Sequence, residues 1–508
     1  MQNYNLNTPL IEFQTSPSPF LWTIGHAVEG VQIFGGIGSG KTSGSGRTLA
    51  LKYLATGFGG LVLTVKPDEK DEWEKYCAVT GRSQDLIIVE PGRENYFNFL
   101  DYESGDGKAL TENIVQVLKT VINASEEKTG GSSQDPFWET ALDMLVFNVI
   151  DLCQLAYGKV SMQVLYDVVQ TLPKPNENAA NAASSAFNKA YEAATENVKR
   201  QVESWEETLT EEEQQQLEPN TENAPYEDII CAAVPDARLM NLIDQFIFGF
   251  VNLNEKTRSI IDFTFSGFLF RMLRDPVYTL FCSHASTFTP EDCNKGKIIL
   301  INLPVKLYHK IGRDCQIMFK YIWQRAMEKR KASDETPPVF LWADEAQNFL
   351  HEHDAEYQAT ARSSRIATVY ISQNLPNYHA SMGGDRAEFR VKSFLGTLNT
   401  KIFHANADIE TNRYASELIG DNLIEDISST ASFTGQSSLS ETVSRKFERF
   451  IRAEDFPKLL TGGARNFNIV MGCIHIQGSA FGNGNNHLIV NFNQNYGSNS
   501  QTTAPQEQ

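Results

Sequence analysis

Residues 35–42 read Gly-Gly-Ile-Gly-Ser-Gly-Lys-Thr, with the spacing G-x-x-x-x-G-K-T. This is a phosphate-binding pattern. Glycines at 35, 36, 38 and 40 let successive backbone N–H groups curl around an anion without side-chain clash. A helix following the loop would aim its N-terminal partial positive charge at the same anion. Lys41 is spaced to reach the β- and γ-phosphates of a nucleoside triphosphate, and the Thr42 hydroxyl to ligate Mg²⁺. Gly35, Gly36, Ile37, Gly38, Ser39, Gly40 and Ser43 complete the expected ATP-binding set.

A second group of reactive side chains lies far along the chain. The apolar run Phe340-Leu341-Trp342-Ala343 ends in Asp344-Glu345. Asp344 suits a carboxylate that holds Mg²⁺ through water, and Glu345 a general base that orients and deprotonates the attacking water. Gln373 follows another apolar run and can contact the γ-phosphate or that water. Arg362 and Arg365 can supply positive charge to the transition state, in a neighbouring subunit. A phosphate loop together with paired carboxylates points to hydrolysis of ATP rather than binding alone.

These groups need strands to carry them. Val31–Phe34 is a short apolar run before the loop, and Thr42–Leu54 can form a helix burying Leu49, Leu51 and Leu54. Further strand candidates are 61–65 and 86–89, then 297–302, 339–343 and 367–371, with shorter ones at 401–403 and 467–474. Their alternation with helix-sized segments marks a mostly parallel sheet. Between 108 and 290 long 3.6-period segments take over, including 112–123, 137–154 and 259–272. The expected division is a nucleotide-binding domain in two parts, 1–107 and 291–491, an all-α insert at 108–290 and a disordered tail at 492–508. Within the insert, 174–225 is an acidic, low-complexity stretch. It reads as solvated surface helices, with a docking site for a basic partner as the sharper alternative.

The chain has 508 residues and a formal net charge of −19. Residues 191–230 hold twelve acids and two bases, so over half of that excess is local. Basic residues cluster at 306–331 and again as Arg386, Arg390, Lys392 and Lys401. Global charge thus neither selects nor excludes nucleic acid. Seven cysteines lack C-x-x-C spacing and read as reduced thiols of a cytoplasmic protein. The N-terminal residues show no signal-peptide pattern, and 144–157, interrupted by Asn148, Asp151 and Gln154, reads as a buried helix rather than a membrane span.

The phosphate loop, Asp344-Glu345-Ala346-Gln347 and the arginine segment leading to Ser372-Gln373 fall in an order that resembles the coupling ATPases of conjugation and type IV secretion. These are the TraG/TraD-type branch of the FtsK/HerA-like motors. Asn98-Phe99-Leu100-Asp101, Asp135-Pro136-Phe137-Trp138 and Thr400-Lys401-Ile402-Phe403 keep that order, and the likeness runs from Gly30 to Gly478. The resemblance implies a RecA-like P-loop NTPase with an inserted all-α domain, assembled as a ring, usually a homo-hexamer, that pumps DNA. It implies a relaxase or relaxosome and secretion-channel proteins as partners. Members usually carry N-terminal transmembrane helices; here membrane contact is expected only through a partner, at the inner face of the cell membrane. The family also usually ends the strand after the loop with Asp-x-Lys-x-Glu, whereas Thr64 stands here in place of the aspartate while Lys66 persists. Competing readings are an FtsK/HerA-like pump in repair, defence or packaging, a helicase, and a protein-secretion ATPase without DNA contact. The 303 positions between Lys41 and Asp344 exceed the usual helicase spacing.

Overall fold

The computed structural model describes residues 3–105, 110–126, 136–174, 184–210, 226–383, 387–434, 436–482 and 484–496. The chain divides into two compact units, 1–88 with 290–309 and 322–508, and 89–289 with 310–321.

The first unit is built on a nine-stranded sheet. Its members are β3 (Val31–Phe34), β4 (Gly59–Leu63), β5 (Leu86–Val89), β6 (Ile298–Ile301), β7 (Val339–Ala343), β8 (Ile366–Ser372), β9 (Thr400–Phe403), β12 (Ile469–Ile476) and β13 (His487–Asn493). The order across the sheet is β13-β12-β9-β3-β8-β7-β4-β6-β5. From β9 through β6 the pairings are parallel, while β12 runs antiparallel to both β9 and β13. The parallel strands β3, β4, β6, β7 and β8 are buried along their whole length, as expected for a sheet covered on both faces. Register aligns Phe34 with Ser372 and Phe403, and Leu63 with Ala343. The ends of β3, β8 and β7 therefore open together on one edge, where ligands of open α/β sheets bind.

Two small antiparallel pairs stand outside this sheet: β1 (Pro9–Phe13) with β2 (Phe20–Thr23), and β10 (Asp421–Thr434) with β11 (Gln436–Arg449). Neither was expected from sequence, nor was β13. Runs such as Ser-Ser-Thr-Ala-Ser-Phe-Thr in β10 lack the apolar alternation that marks a strand packed on a core. Phe492 and Asn493 belong to β13, and Phe492 is buried. The tail expected from 492 thus gives way to ordered chain through Tyr496, because β12 supplies a pairing edge. Residues 497–508 lie outside the described ones.

The segment Val305–Glu328 is helical on either side of a kink at His309, φ 51°. It buries Gln316, Lys320 and Gln324 as well as Cys315, Met318 and Ile322, so of its basic residues Lys320 is withdrawn from the surface while Lys306 and Lys310 stay exposed. Lys401 is likewise buried, donating to the Leu398 carbonyl at 2.5 Å, and burial pulls its pKa down to about 8.

The second unit is helical. Asn98 caps Phe99–Ser104, its side chain accepting from the Asp101 N–H at 3.2 Å, and its amide donates to the Cys282 carbonyl. The Asn-Phe-Leu-Asp motif is thus a helix start. Helix Pro136–Tyr157 packs with Ala186–Glu206, which buries Phe187, Ala190, Ala194 and Val198 at helical spacing. Asn197 donates to the Leu155 and Ala156 carbonyls at the end of the former. Among the described residues, Thr140–Tyr157 is the one stretch long and apolar enough to cross a membrane by length and composition. Asp135 and most of the acidic stretch outside Ala186–Glu206 lie outside the described residues.

The central position of β4 depends on Gly60. A Cβ there would sit 2.5 Å from the Phe340 carbonyl oxygen and 2.6 Å from its ring. Gly60→Ala should force β4 away from β7 and destabilise the chain by about 1–3 kcal/mol. Thermal unfolding should register this as a Tm lower by several degrees.

Candidate active site

β3 delivers the loop, and packing dictates its glycines. Gly38 and Gly40 have φ of +72° and +82°, values that side chains disfavour. A Cβ on Gly40 would collide with Val470 of β12, and one on Gly35 with the Ser39 hydroxyl. After Lys41 the chain enters a single wide turn, Thr42–Gly46, before the helix Arg47–Ala55. The Gly46 N–H reaches back five residues to the Lys41 carbonyl at 2.9 Å. Gly46 lies close to Ile371 of β8, which draws the helix start onto the sheet.

Thr42 and Asp344 meet across this edge. The Thr42 hydroxyl donates to Asp344 Oδ2 at 2.7 Å. Lys41 Nζ stands 3.7 Å from Glu345 Oε1, and both side chains are largely buried. Glu345 itself is left-handed, φ 48°, and its N–H donates to Asp344 Oδ1 at 2.8 Å. Its carboxylate accepts from Gln347 Nε2 at 2.9 Å and from Gln373 Nε2 at 3.2 and 3.3 Å. The structure therefore brings Lys41, Thr42, Asp344, Glu345 and Gln373 together. A hydroxyl and a carboxylate in contact beside a phosphate cradle fit Mg²⁺, which takes few protein ligands and keeps phosphate oxygens and waters.

The two carboxylates titrate in opposite directions. Burial raises Asp344, with Lys41, Lys66 and the Thr42 bond opposing it in part. Burial also acts against ionised Glu345, but the Gln347 bond, Lys41, the Gln373 bond and Lys66 prevail and hold it below the usual range. Glu345 is thus kept as a carboxylate, the form a base requires.

Arg362 and Arg365 are placed elsewhere. Arg365 donates to the Tyr4 carbonyl at 2.7 Å and Asp334 Oδ1 at 2.6 Å, and its side chain is 11% exposed. Arg362, 61% exposed, pairs with Glu29 at 3.3 Å.

Several residues of the site were not anticipated. Glu69 lies with Lys66 in a cleft of about 320 Å³ beside the loop, accepting from the Val65 N–H at 2.7 Å. Burial, reinforced by Asp344, pushes its pKa up to about 8. It follows by one residue the place where the family pattern puts a glutamate, so a shifted match was the available signal. His404 contacts the Ser45 hydroxyl through Nε2 at 2.7 Å and the Met471 carbonyl through Nδ1 at 2.8 Å. Gln494 Nε2 donates to Ser43 Oγ at 2.7 Å. Neither has a sequence signature.

Fold and site together define an α/β, RecA-like P-loop architecture. Residues 338–460, the segment that holds Asp344, Glu345 and Gln373, match the family model described as the TraM recognition site of TraD and TraG. Among solved structures, the bacterial conjugative coupling protein TrwB in an unbound form aligns at TM-score 0.58 and 12% identity, over 96% of this chain and 89% of that one. TrwB with ADP and Mg²⁺ aligns at 0.56 and 12%, over 92% and 86%. With the non-hydrolysable ATP analogue ADPNP it aligns at 0.54 and 12%, over 91% and 84%. A search of curated protein sequences gives no match. The match over residues 338–460 agrees with the resemblance read from motif order, and the solved structures share the fold.

Burial and Lys41 keep His404 neutral, with its pKa lowered from 6.5 to about 4 against the opposing Met471 bond. The unfolded chain binds this proton more readily, so the stabilisation is complete above about 6.5 and is lost as pH falls towards about 4. Urea unfolding midpoints should fall across this window in the wild type. His404→Gln should flatten that dependence, whereas an unchanged slope would contradict the assignment.

Proposed function

We propose that this protein is an ATP-hydrolysing, DNA-translocating motor that couples DNA and its relaxase to a type IV secretion or conjugation channel. The observation that carries the reading is the contact of Thr42 with Asp344 beside Lys41 and Glu345, on a coupling-protein fold. ATP and Mg²⁺ are the ligands this arrangement fits, as TrwB holds ADP and Mg²⁺. The matched TraM-recognition segment supports a relaxosome partner. A homo-hexameric ring at the cytoplasmic face of the membrane, attached through channel proteins, accords with this role.

The loop N–H groups and Lys41 bind the phosphates and offset their charge. Mg²⁺, when bound through Thr42 and a water held by Asp344, stabilises charge on the phosphate oxygens. Glu345 orients water and accepts its proton, and Gln373 fixes the carboxylate that does so. A pump must accept any sequence, so its DNA contacts should be to phosphates rather than base edges. Lys306, Lys310, Lys329 and Lys331 are exposed and remain candidates from the first cluster, as do Arg390 and Lys392, the latter pairing with Glu388 at 2.6 Å, from the second. Arg386 lies outside the described residues.

The test is hydrolysis by the assembled protein with and without single- and double-stranded DNA. Wild-type turnover should rise with DNA and lose that stimulation steeply with salt, at about −0.7 in log–log slope per phosphate neutralised on a single strand. Lys41→Ala should lose both ATP binding and turnover. Glu345→Gln should still bind ATP while turnover drops on the order of 10²-fold or more. No DNA stimulation at low salt would favour the protein-secretion ATPase instead.

Between the two arginines, exposure supports Arg362 as the one that acts on a neighbouring subunit's ATP. Arg365 is engaged by Tyr4 and Asp334. Arg362→Ala should lower turnover without shifting Tm, and mixing it with Lys41→Ala subunits should restore part of the activity. Arg365→Ala should instead lower Tm. Mixtures no more active than their components would count against action in trans.

A further inference from the structure

Resting on the ATP-binding reading, we infer that Phe467 is the platform on which the nucleobase of bound ATP stacks. Lys41, Thr42, Asp344 and Glu345 gather at one end of the phosphate cradle, which assigns that end to the terminal phosphates and Mg²⁺. The nucleoside must then leave past the start of the helix, at Ser43.

Ser43 is met there by Gln494. That side chain donates to the Ser43 hydroxyl at 2.7 Å and accepts from the Gly463 N–H at 2.8 Å. Its backbone N–H donates to the Asn468 carbonyl at 2.8 Å, and its carbonyl accepts from Arg47 at 2.8 Å. One residue thus ties both ends of the turn 463–468 to the loop. Val470, packed against Gly40 and Gly44, presses the following strand onto the same place.

Within this clamped turn the backbone is strained. Phe467 and Asn468 are successive left-handed residues, φ 51° and 58°. Asparagine tolerates that conformation, but phenylalanine disfavours it. The turn holds it there by hydrogen bonds from the Phe467 N–H to Ala464 and the Asn468 N–H to Gly463. The result is a phenyl ring 87% exposed on the turn that Gln494 ties to Ser43. Strain that presents an apolar ring to water contributes nothing to folding, and such outliers mark ligand clamps. An aromatic face accepts any base by stacking.

The other aromatic group near the loop does not compete. Trp73, Tyr76 and Trp342 are 4%, 6% and 3% exposed, and Trp73 meets Trp342 and Tyr76 edge-on. They are nearly fully buried in the packing beside the loop, whereas the Phe467 ring is open to solvent.

The experiment is calorimetric titration of the full chain with ATP and, separately, with inorganic tripolyphosphate, both with Mg²⁺. Tripolyphosphate keeps the phosphate contacts and lacks the base. Phe467→Ala should weaken ATP about tenfold, the scale of one base–aromatic stack, and leave tripolyphosphate unchanged. Phe467→Tyr should bind ATP as the wild type does. In Phe467→Trp the indole fluorescence should change on adding ATP and stay constant with tripolyphosphate. Phe467→Gly, which relieves the backbone, should raise Tm while weakening ATP. Unaltered ATP affinity in Phe467→Ala, or equal losses for both ligands, would overturn the inference while leaving ATP binding intact. A wild-type chain that binds neither ligand would instead remove the nucleotide reading and this inference with it.

Discussion

The bond between Thr42 and Asp344 joins residues 302 positions apart, and the architecture of the first unit follows from the need to make it. It requires β3 and β7 to lie one strand apart, with β8 between them and all three in parallel register. Parallel neighbours need crossover connections, so the chain must pass through helices on the faces of the sheet between these strands. The long helical stretch is inserted between β5 and β6, which are neighbours at the edge of the sheet, so the insertion leaves the register of β3, β8 and β7 alone. A long insertion at such a point adds little loop-closure entropy, since that term grows only logarithmically with length.

At this edge the packing decides the chemistry. Adjacent buried carboxylates repel, and both cannot be equally ionised in a poorly solvated cleft. Here the asymmetry comes from hydrogen bonds. Gln347 and Gln373 both donate to Glu345, and Lys41 stands beside it, whereas the described donors to Asp344 are Thr42 and the Glu345 N–H. Lys66, held by Asp344, Glu69, Glu345 and Asp68 against the effect of burial, keeps its charge and balances this acidic side. Thr64, which stands where the family has an aspartate, is buried and donates to the Ile301 carbonyl at 2.8 Å. A carboxylate there would add another negative group to a cleft already holding Asp344, Glu69 and Glu345. Lys66 can therefore persist with a different residue at position 64.

The sheet's central strands and the residues on them were legible because burial on both faces demands continuous apolar runs, and the phosphate loop demands glycine at fixed steps. Asp344, Glu345 and Gln373 could be read because each directly follows such a run. The legible part ended where a residue's role depends on a distant partner. Arg365 carries the same charge as Arg362, and only the fold shows that Tyr4 and Asp334 hold it. Lys320 and Lys401 counted towards basic clusters but are buried. Gln494 sits in an Asn/Gln-rich stretch that composition assigns to a tail, yet it contacts Ser43 because β12 pairs β13. The β10–β11 ribbon was hidden for the opposite reason: its strands pair with each other alone, so no core imposes an apolar face.

That ribbon is also connected to the site. Glu345 accepts from Gln373, whose carbonyl accepts from Asn406 Nδ2 at 2.8 Å. Asn406 in turn accepts at its side chain from the Asp408 N–H and at its carbonyl from Asn412, fixing the start of helix Ile409–Ile419. At the far end of that helix, Ser416 donates to the Ile451 carbonyl, and the Phe450 N–H donates to Gly420, where the ribbon begins and ends. Every step outside the helix is a hydrogen bond between buried or half-buried groups. The segment matched as a partner-recognition region contains the whole series from Glu345 to the ribbon. Glu345 and the ribbon are therefore joined by one continuous series of hydrogen-bonded groups within residues 338–460.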